Sequence, residues 1–378
     1  RTIEKTRALI IDAVKRQLVS DVPLCCFLSG GLDSSIISKV AADAYKKEKR
    51  GTLHTYSVDY VDNQKYFKAN TFQPNSDKKY IDKMVNEMGS IHHEIILDHT
   101  ELAEALYEAT LARDLPGMAD VDSSLLLFCK EVKKNFTVAV SGECADEIFG
   151  GYPWYHNKEI LFEDNFPWAR SLEIRKNILK SGVLDEGEEY VRQKYLDTIA
   201  RVDVLSGDEK LDTRMRQMYV LNMNWFMQTL LDRKDRMSMY NGLEVRVPFC
   251  DHRIVEYAYN MPWNIKSLDG REKGIVRKAL EGILPDEIIW RKKSPYPKTH
   301  HPKYFKILCE KIRMLYRKSN SILSELINWD TVNNIADNPN QFTSPWYGQL
   351  MTAPQILAYI LQIDIWLEKF QVKIEGNL

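Results

Sequence analysis

Hydrophobic positions in the first 140 residues alternate between two periods. Ile3, Ile10, Val14 and Leu18 lay an apolar stripe along an opening helix. The run Val22–Leu28 is short and continuous, as a strand buried on both faces should be. After Asp33 the period becomes helical through Ile36, Ile37, Val40, Ala41 and Ala44, with Ser34 or Ser35 expected to cap the helix. Leu53–Asp59 predicts a second strand, Tyr60–Ser76 a polar surface loop, and Tyr80–Met88 a helix ending at Gly89. Ile91–Leu97 predicts a third strand. Thr100 is expected to cap a helix through Leu102, Leu106 and Ala109. A helix over Asp122–Lys134 and a fourth strand over Phe136–Val140 complete the alternation. Strands alternating with helices predict an α/β fold with a doubly wound, mainly parallel sheet. Past Tyr152 strand signals stop, and helices are expected around Leu172–Leu179, Met218–Leu231, Ile254–Asn260, Gly274–Leu284 and Ala353–Phe370. The expected division is an α/β core over 1–152 and a large, mainly helical C-terminal part over 153–378.

Composition narrows the function classes. With 378 residues and 44% hydrophobic content there is material for a substantial core. The 53 acidic and 52 basic residues nearly cancel, so no broad positive field suggests a nucleic-acid partner. No apolar stretch reaches membrane-spanning length, and no signal peptide is read at the start. The six cysteines include no CxxC pair, and a reducing cytoplasm is the expected compartment.

The chemistry concentrates in two stretches. Ser29-Gly30-Gly31-Leu32-Asp33-Ser34 joins a strand to a helix N-terminus, where free N–H groups and the helix dipole favour an anion. It is neither a Walker A loop nor a dinucleotide fingerprint. It matches the PP-loop of the ATP pyrophosphatases, which cut ATP between the α- and β-phosphates. The fourth strand runs into Ser141-Gly142-Glu143-Cys144-Ala145-Asp146-Glu147, followed by Gly150-Gly151. Asp33 would be out of place at an anion site without a cation, and Asp33 with Asp146 can share Mg²⁺.

Together with Glu244–Asp251 (EVRVPFCD) and Gly270–Arg277 (GREKGIVR), these stretches resemble the synthetase domain of the glutamine-hydrolysing asparagine synthetases over nearly the whole chain. The related β-lactam synthetases share this plan, and intramolecular amide closure or another carboxylate substrate is the alternative reading. The resemblance implies that Ser29, Gly30, Gly31, Asp33 and Ser34 hold the pyrophosphate part of ATP, that Phe27 and Val58 lie against the nucleoside, and that Ser141 and Gly142 hold the ribose and α-phosphate side. It implies Mg²⁺ on Asp33 and Asp146, Lys273 on the α/β-phosphates, and Glu143 assisting the amine step. Aspartate and ammonia are the implied substrates. Cys144-Ala145 stands where the family more usually has Gly-Ser or Gly-Ala. The family's glutaminase domain uses an N-terminal cysteine, which nothing here supplies; that domain is expected to be fused upstream or provided separately. The oligomeric state is left open.

Weaker signals have two readings each. His92-His93 is read as a strand-edge pair rather than a metal site. Arg291-Lys292-Lys293 is either a phosphate or carboxylate clamp or a solvated basic loop. Asp232–Arg236 either borders the site or forms a salt-bridged helix face. Tyr152, Trp154 and Tyr155 are read as core aromatics.

Overall fold

The computed structural model describes residues 1–67, 76–170, 172–318, 321–348 and 351–374. Its centre is a five-stranded sheet of β1 (Leu24–Phe27), β2 (His54–Tyr60), β3 (Ile91–Leu97), β4 (Val138–Val140) and β5 (Glu244–Arg246), in the order β3-β2-β1-β4-β5. All neighbouring pairs are parallel; Cys25 lies opposite both His54 and Ala139. The chain builds outward from β1 to β3, then returns to add β4 and β5 on the other side. The order therefore reverses between β1 and β4, where a crevice opens at the strands' carboxyl ends.

Both sheet faces are covered, as the continuous apolar run in β1 requires. Leu24, Cys26, Val138 and Val140 point into one core with the helices Thr2–Gln17 and Leu32–Lys47. Cys25, Phe27 and Ala139 point into the other, with Asp120–Lys133, Pro302–Arg317 and Ala353–Lys369. A third cluster is aromatic and includes Tyr152, Trp154, Tyr155, Trp168 and Phe226. The core reading of the aromatics after Gly151 therefore holds. Among the described residues no helix is long and apolar enough to cross a membrane.

Several expectations need correction. The C-terminal part does contribute a strand, because β5 pairs with β4 through Val138–Glu244, Ala139–Val245 and Val140–Arg246. The helix after the Gly-Gly turn starts at Leu32, so Gly31 is its N-cap and neither Ser34 nor Ser35 caps it. Asp98, not Thr100, caps the helix after β3, accepting the Thr100 N–H at 2.7 Å. The helix read through Ala109 is two, His99–Glu104 and Leu106–Arg113. The segment around Met218–Leu231 is longer than its apolar period suggests, running from Lys210 to Met239 with a wider π-type turn at Asn222–Met227. Of the polar loop, Asn63–Tyr66 forms a helical turn, and residues 68–75 lie outside the described residues. Gly89 ends its helix in the left-handed conformation as expected.

Candidate active site

The phosphate-type turn is shaped by close packing. Gly30 has φ +67°, and a Cβ there would lie 2.7 Å from the backbone of Tyr80 and Ile81, so only glycine fits. The Ser29 N–H donates to Ser34 Oγ at 3.1 Å, and the two hydroxyls lie 3.0 Å apart. Ser34 thus holds the turn from within the first turn of the helix.

The second loop packs directly on the first. A Cβ on Gly142 would come within 2.7 Å of the Ser34 nitrogen, so the missing side chain lets the loops touch. The Ser141 N–H donates to the Arg246 carbonyl at 2.8 Å, which ties this loop to β5. Cys144 then takes φ +76° and starts the short helix Ala145–Phe149, which carries Asp146. The double glycine serves that helix. Gly150 turns the chain at φ +69°, and a Cβ on Gly151 would overlap Asp146 Oδ1 at 1.9 Å.

Lys273 joins the two loops. It is 2% exposed, and its Nζ lies 2.6 Å from Asp33 Oδ2 and 2.7 Å from Asp146 Oδ1. Its backbone is left-handed, and Gly274 follows because a Cβ there would strike the Leu268 carbonyl at 2.2 Å. Lys293 is the second cation on Asp146. Burial opposes the charge on Asp146, but Lys273 and Lys293 outweigh it and hold the carboxyl below the usual range. Asp33 goes the other way: burial and nearby Asp146 outweigh Lys273 and raise it. Burial also disfavours the Lys273 ammonium, yet the two carboxylates keep its affinity for the proton above normal. Among the described residues, Asp33 Oδ1 is buried with no hydrogen-bond partner. Two convergent carboxylates with a free oxygen suit a hard divalent cation, and Lys273 supplies their positive charge here.

Glu143 marks the other end of the crevice. Its Oε1 accepts from Arg233 at 2.7 Å, and Oε2 faces Lys234 at 3.4 Å without a hydrogen bond. Arg233 and Lys234 are both buried. Arg233 lies over the Tyr296 ring and Lys234 over Phe27, at 5.5 and 5.2 Å from the centroids. Arg236 and Asp232, on the same helix, form an exposed pair at 3.5 Å, so both readings of Asp232–Arg236 apply, on different faces.

The basic run 291–293 is no solvated loop. Arg291 is buried, bonds Asp77, donates to the Ser29 carbonyl at 3.2 Å, and covers Tyr80 at 3.9 Å from its centroid. Buried Arg277 fastens this segment to the Lys273 helix, donating to the carbonyls of Ile289 and Arg291 and to Glu272. Glu147 is also buried; it accepts from Tyr152 Oη at 2.5 Å, and burial next to Asp146 lifts its carboxyl to about 7. His92 bonds the hydroxyls of Thr55 and Ser57, and His93 bonds His54 at 2.8 Å.

Phe27, Ser29, Gly31, Asp33, Ser34, Val58, Ser141, Gly142, Glu143, Asp146 and Lys273 all line one crevice of about 290 Å³, while Gly30 sits behind the turn. Reading the sequence did not single out Glu147, and left Arg233, Lys234, Arg291 and Lys293 undecided. The only signal for these cations was charge density, which does not say which way a long side chain points.

Fold and site together define a doubly wound α/β protein with a Gly-Gly strand-to-helix turn and a carboxylate–lysine cluster at its switch point. The asparagine synthase family model matches residues 5–368, and the chain belongs to that family. It is 52% identical over 377 residues to asparagine synthetase [glutamine-hydrolyzing] 3 of Bacillus subtilis (strain 168), covering 99% of this chain and 61% of that protein. Asparagine synthetase [glutamine-hydrolyzing] 1 of the same organism is 29% identical over 328 residues, covering 79% of this chain and 50% of that protein. The Rattus norvegicus asparagine synthetase [glutamine-hydrolyzing] is 29% identical over 301 residues, covering 77% and 42%. The chain thus spans about three fifths of the first relative's length and about half or less of the others'.

Proposed function

We propose that the chain catalyses ATP-dependent amidation of aspartate to asparagine through β-aspartyl-AMP, releasing AMP and pyrophosphate. The observation that carries this reading is the convergence of the Ser29–Ser34 turn, Asp33, Asp146 and Lys273 at the switch point. A carboxylate is a poor acyl donor until its oxygen is converted into a leaving group. Attack of the aspartate side chain on the α-phosphorus makes the acyl-adenylate and expels pyrophosphate. Anion then meets polyanion, so the barrier is electrostatic.

The turn's N–H groups and hydroxyls bind the departing pyrophosphate, with Phe27 and Val58 against the nucleoside and Ser141 and Gly142 on the ribose side. Asp33 and Asp146 would hold Mg²⁺, which when bound neutralises phosphate charge. Lys273 stabilises the charge that builds on the α/β-phosphates, and Arg291 keeps the turn in shape. In the second half ammonia attacks the acyl carbon and AMP leaves. Glu143, whose Oε2 accepts no hydrogen bond among the described residues, takes the proton from the amine. Arg233 and Lys234 keep this carboxylate oriented. A glutaminase domain, in this chain's parent or in a partner, supplies the ammonia; the six free cysteines suit a reducing cytoplasm.

Incubation of the purified chain with ATP, Mg²⁺, aspartate and ammonium should yield asparagine, AMP and pyrophosphate in equal amounts. ADP and phosphate as products, or pyrophosphate release unaffected by omitting aspartate, would reject the reading. Amide formed from a different carboxylate would move it to the β-lactam-synthetase-like alternative.

A further inference from the structure

Arg233 is more deeply buried than its bonding explains. It is 4% exposed, and the helix Gln228–Met239 carries it to the lining of the crevice. A guanidinium has N–H donors on all three of its nitrogens. Among the described residues only Nη2 makes a hydrogen bond, to Glu143 Oε1 at 2.7 Å, and Nε is buried with no partner. Donors left unmade on a buried cation are costly, so a site that keeps such a cation is shaped for a ligand that pairs with it. Tyr296 steadies the group. Its ring lies 5.5 Å from the guanidinium carbon, and its hydroxyl is 3.2 Å from that of Ser124.

Charge points the same way. Lys234 is buried next to Arg233, with Nζ 3.4 Å from Glu143 Oε2, so both cations share this carboxylate. Asp122, the other carboxylate that acts on Arg233, is occupied by Arg113 at 3.2 Å and by the Met118 N–H at 2.8 Å. Among the described residues this end of the crevice therefore holds an excess of buried positive charge. Val121, Leu125 and Phe128 in the lining offer nothing to balance it.

We infer that Arg233 selects the substrate, taking the α-carboxylate of aspartate while the β-carboxylate reacts. The inference rests on the reaction proposed above. In that reaction Glu143 reaches the amine at the acyl carbon, and Arg233 is bonded to Glu143. The α-carboxylate is the other end of the same short substrate, so it falls within reach of the guanidinium. A planar fork of donors matches the two oxygens of a carboxylate, and the added negative charge balances the excess. An analogue lacking that group leaves the donors unpaired, which is the strongest basis a site has for rejecting it.

The test compares aspartate with β-alanine, which is aspartate without its α-carboxylate, by pyrophosphate release from the purified chain with ATP and Mg²⁺. The unaltered chain should prefer aspartate by ~30-fold or more in kcat/KM. In Arg233→Gln the preference should shrink to within about 3-fold while the KM for ATP changes little. Arg233→Lys should fall between the two, because it keeps the charge without the fork. Any loss through a displaced Glu143 is common to both substrates and cancels in the ratio. The inference is overturned if the unaltered chain uses both substrates equally, if Arg233→Gln keeps the preference, or if its loss falls on ATP instead of aspartate. Should Arg233→Gln fail to fold, an undiminished preference in Arg233→Lys overturns it as well. Pyrophosphate release that never responds to aspartate rejects the reaction itself, whereas a response without discrimination rejects this assignment alone.

Discussion

Lys273 carries charge that two carboxylates share, and its removal has two separable effects. Asp33 and Asp146 would face each other across a buried gap, and Asp33, already raised by burial, would take up a proton. On the proposed reaction, catalysis would also lose the cation assigned to the charge that develops on the phosphates. Lys273→Ala should therefore lower the rate of pyrophosphate release by about 100-fold or more while ATP affinity changes by only a few-fold. Equal losses in rate and affinity would make it a ground-state clamp. Asp146→Asn should cost a similar factor with the fold intact, because Lys293, Lys273 and the implied metal all depend on this carboxylate. Circular dichroism beside the rate assay checks both halves, and near-normal turnover in the folded variant refutes the assignment. Asp33 and Asp146 were legible from the sequence because glycines and carboxylates in short loops have few other uses, whereas Lys273 was reached only through the family resemblance. Arg233, Lys234 and Lys293 were not legible, since their partners Glu143 and Asp146 lie far away along the chain and only the folded contact tells a buried cation from a solvated one.

At the scale of elements, the C-terminal helix Ala353–Lys369 helps to position the crevice wall. Gln362 Oε1 accepts the N–H groups of Gly117 and Ala119 at 3.3 and 3.2 Å, and Gln355 donates to Asp120 Oδ2 at 3.2 Å. These bonds pin the entry to the helix Asp120–Lys133, whose Val121, Leu125 and Phe128 line the crevice. Asp120 pays for its place: burial lifts its carboxyl to about 6, only partly opposed by Gln355, and Oδ1 has no hydrogen-bond partner among the described residues. A carboxyl raised from 3.8 on folding binds its proton more tightly in the native state. The linkage then makes stability fall as pH climbs from about 4 to about 6 and level off above that. The cost of ionising it is on the order of 3 kcal/mol. Asp120→Asn should flatten this slope, measured as the urea midpoint against pH, and an unchanged slope would show that Asp120 does not cause it. β1 and β4 were legible because both-face burial leaves a continuous apolar run; β2 and β3 were legible as short runs between turn and helix signals, although β3 is largely exposed. The fifth was not: Glu244-Val245-Arg246 is three residues long with a charge at each end, and it becomes a strand only because β4 offers a free edge.

For the molecule as a whole, the proposed reaction needs a source of nitrogen. Glutamine hydrolysis of the kind its relatives' names describe needs a nucleophile with a base beside it, and an N-terminal cysteine supplies both in one residue. The cysteines of this chain offer no such arrangement. Cys25 and Cys26 form part of β1, Cys129 and Cys309 lie inside helices, and Cys144 and Cys250 sit at the start of the helix after β4 and the end of the 3-10 turn after β5. The purified chain should therefore make asparagine from ATP, Mg²⁺, aspartate and ammonium, and make none when glutamine replaces ammonium. Its rate at fixed total ammonium should rise with pH towards the pKa of ammonium, because only neutral ammonia carries the lone pair that attacks the acyl carbon. Adding a separately purified glutaminase domain should restore some activity with glutamine through ammonia released to solvent, and raising the pH should increase that share as well. Asparagine formed equally well from glutamine by this chain alone would mean that a nucleophile within these residues has been missed.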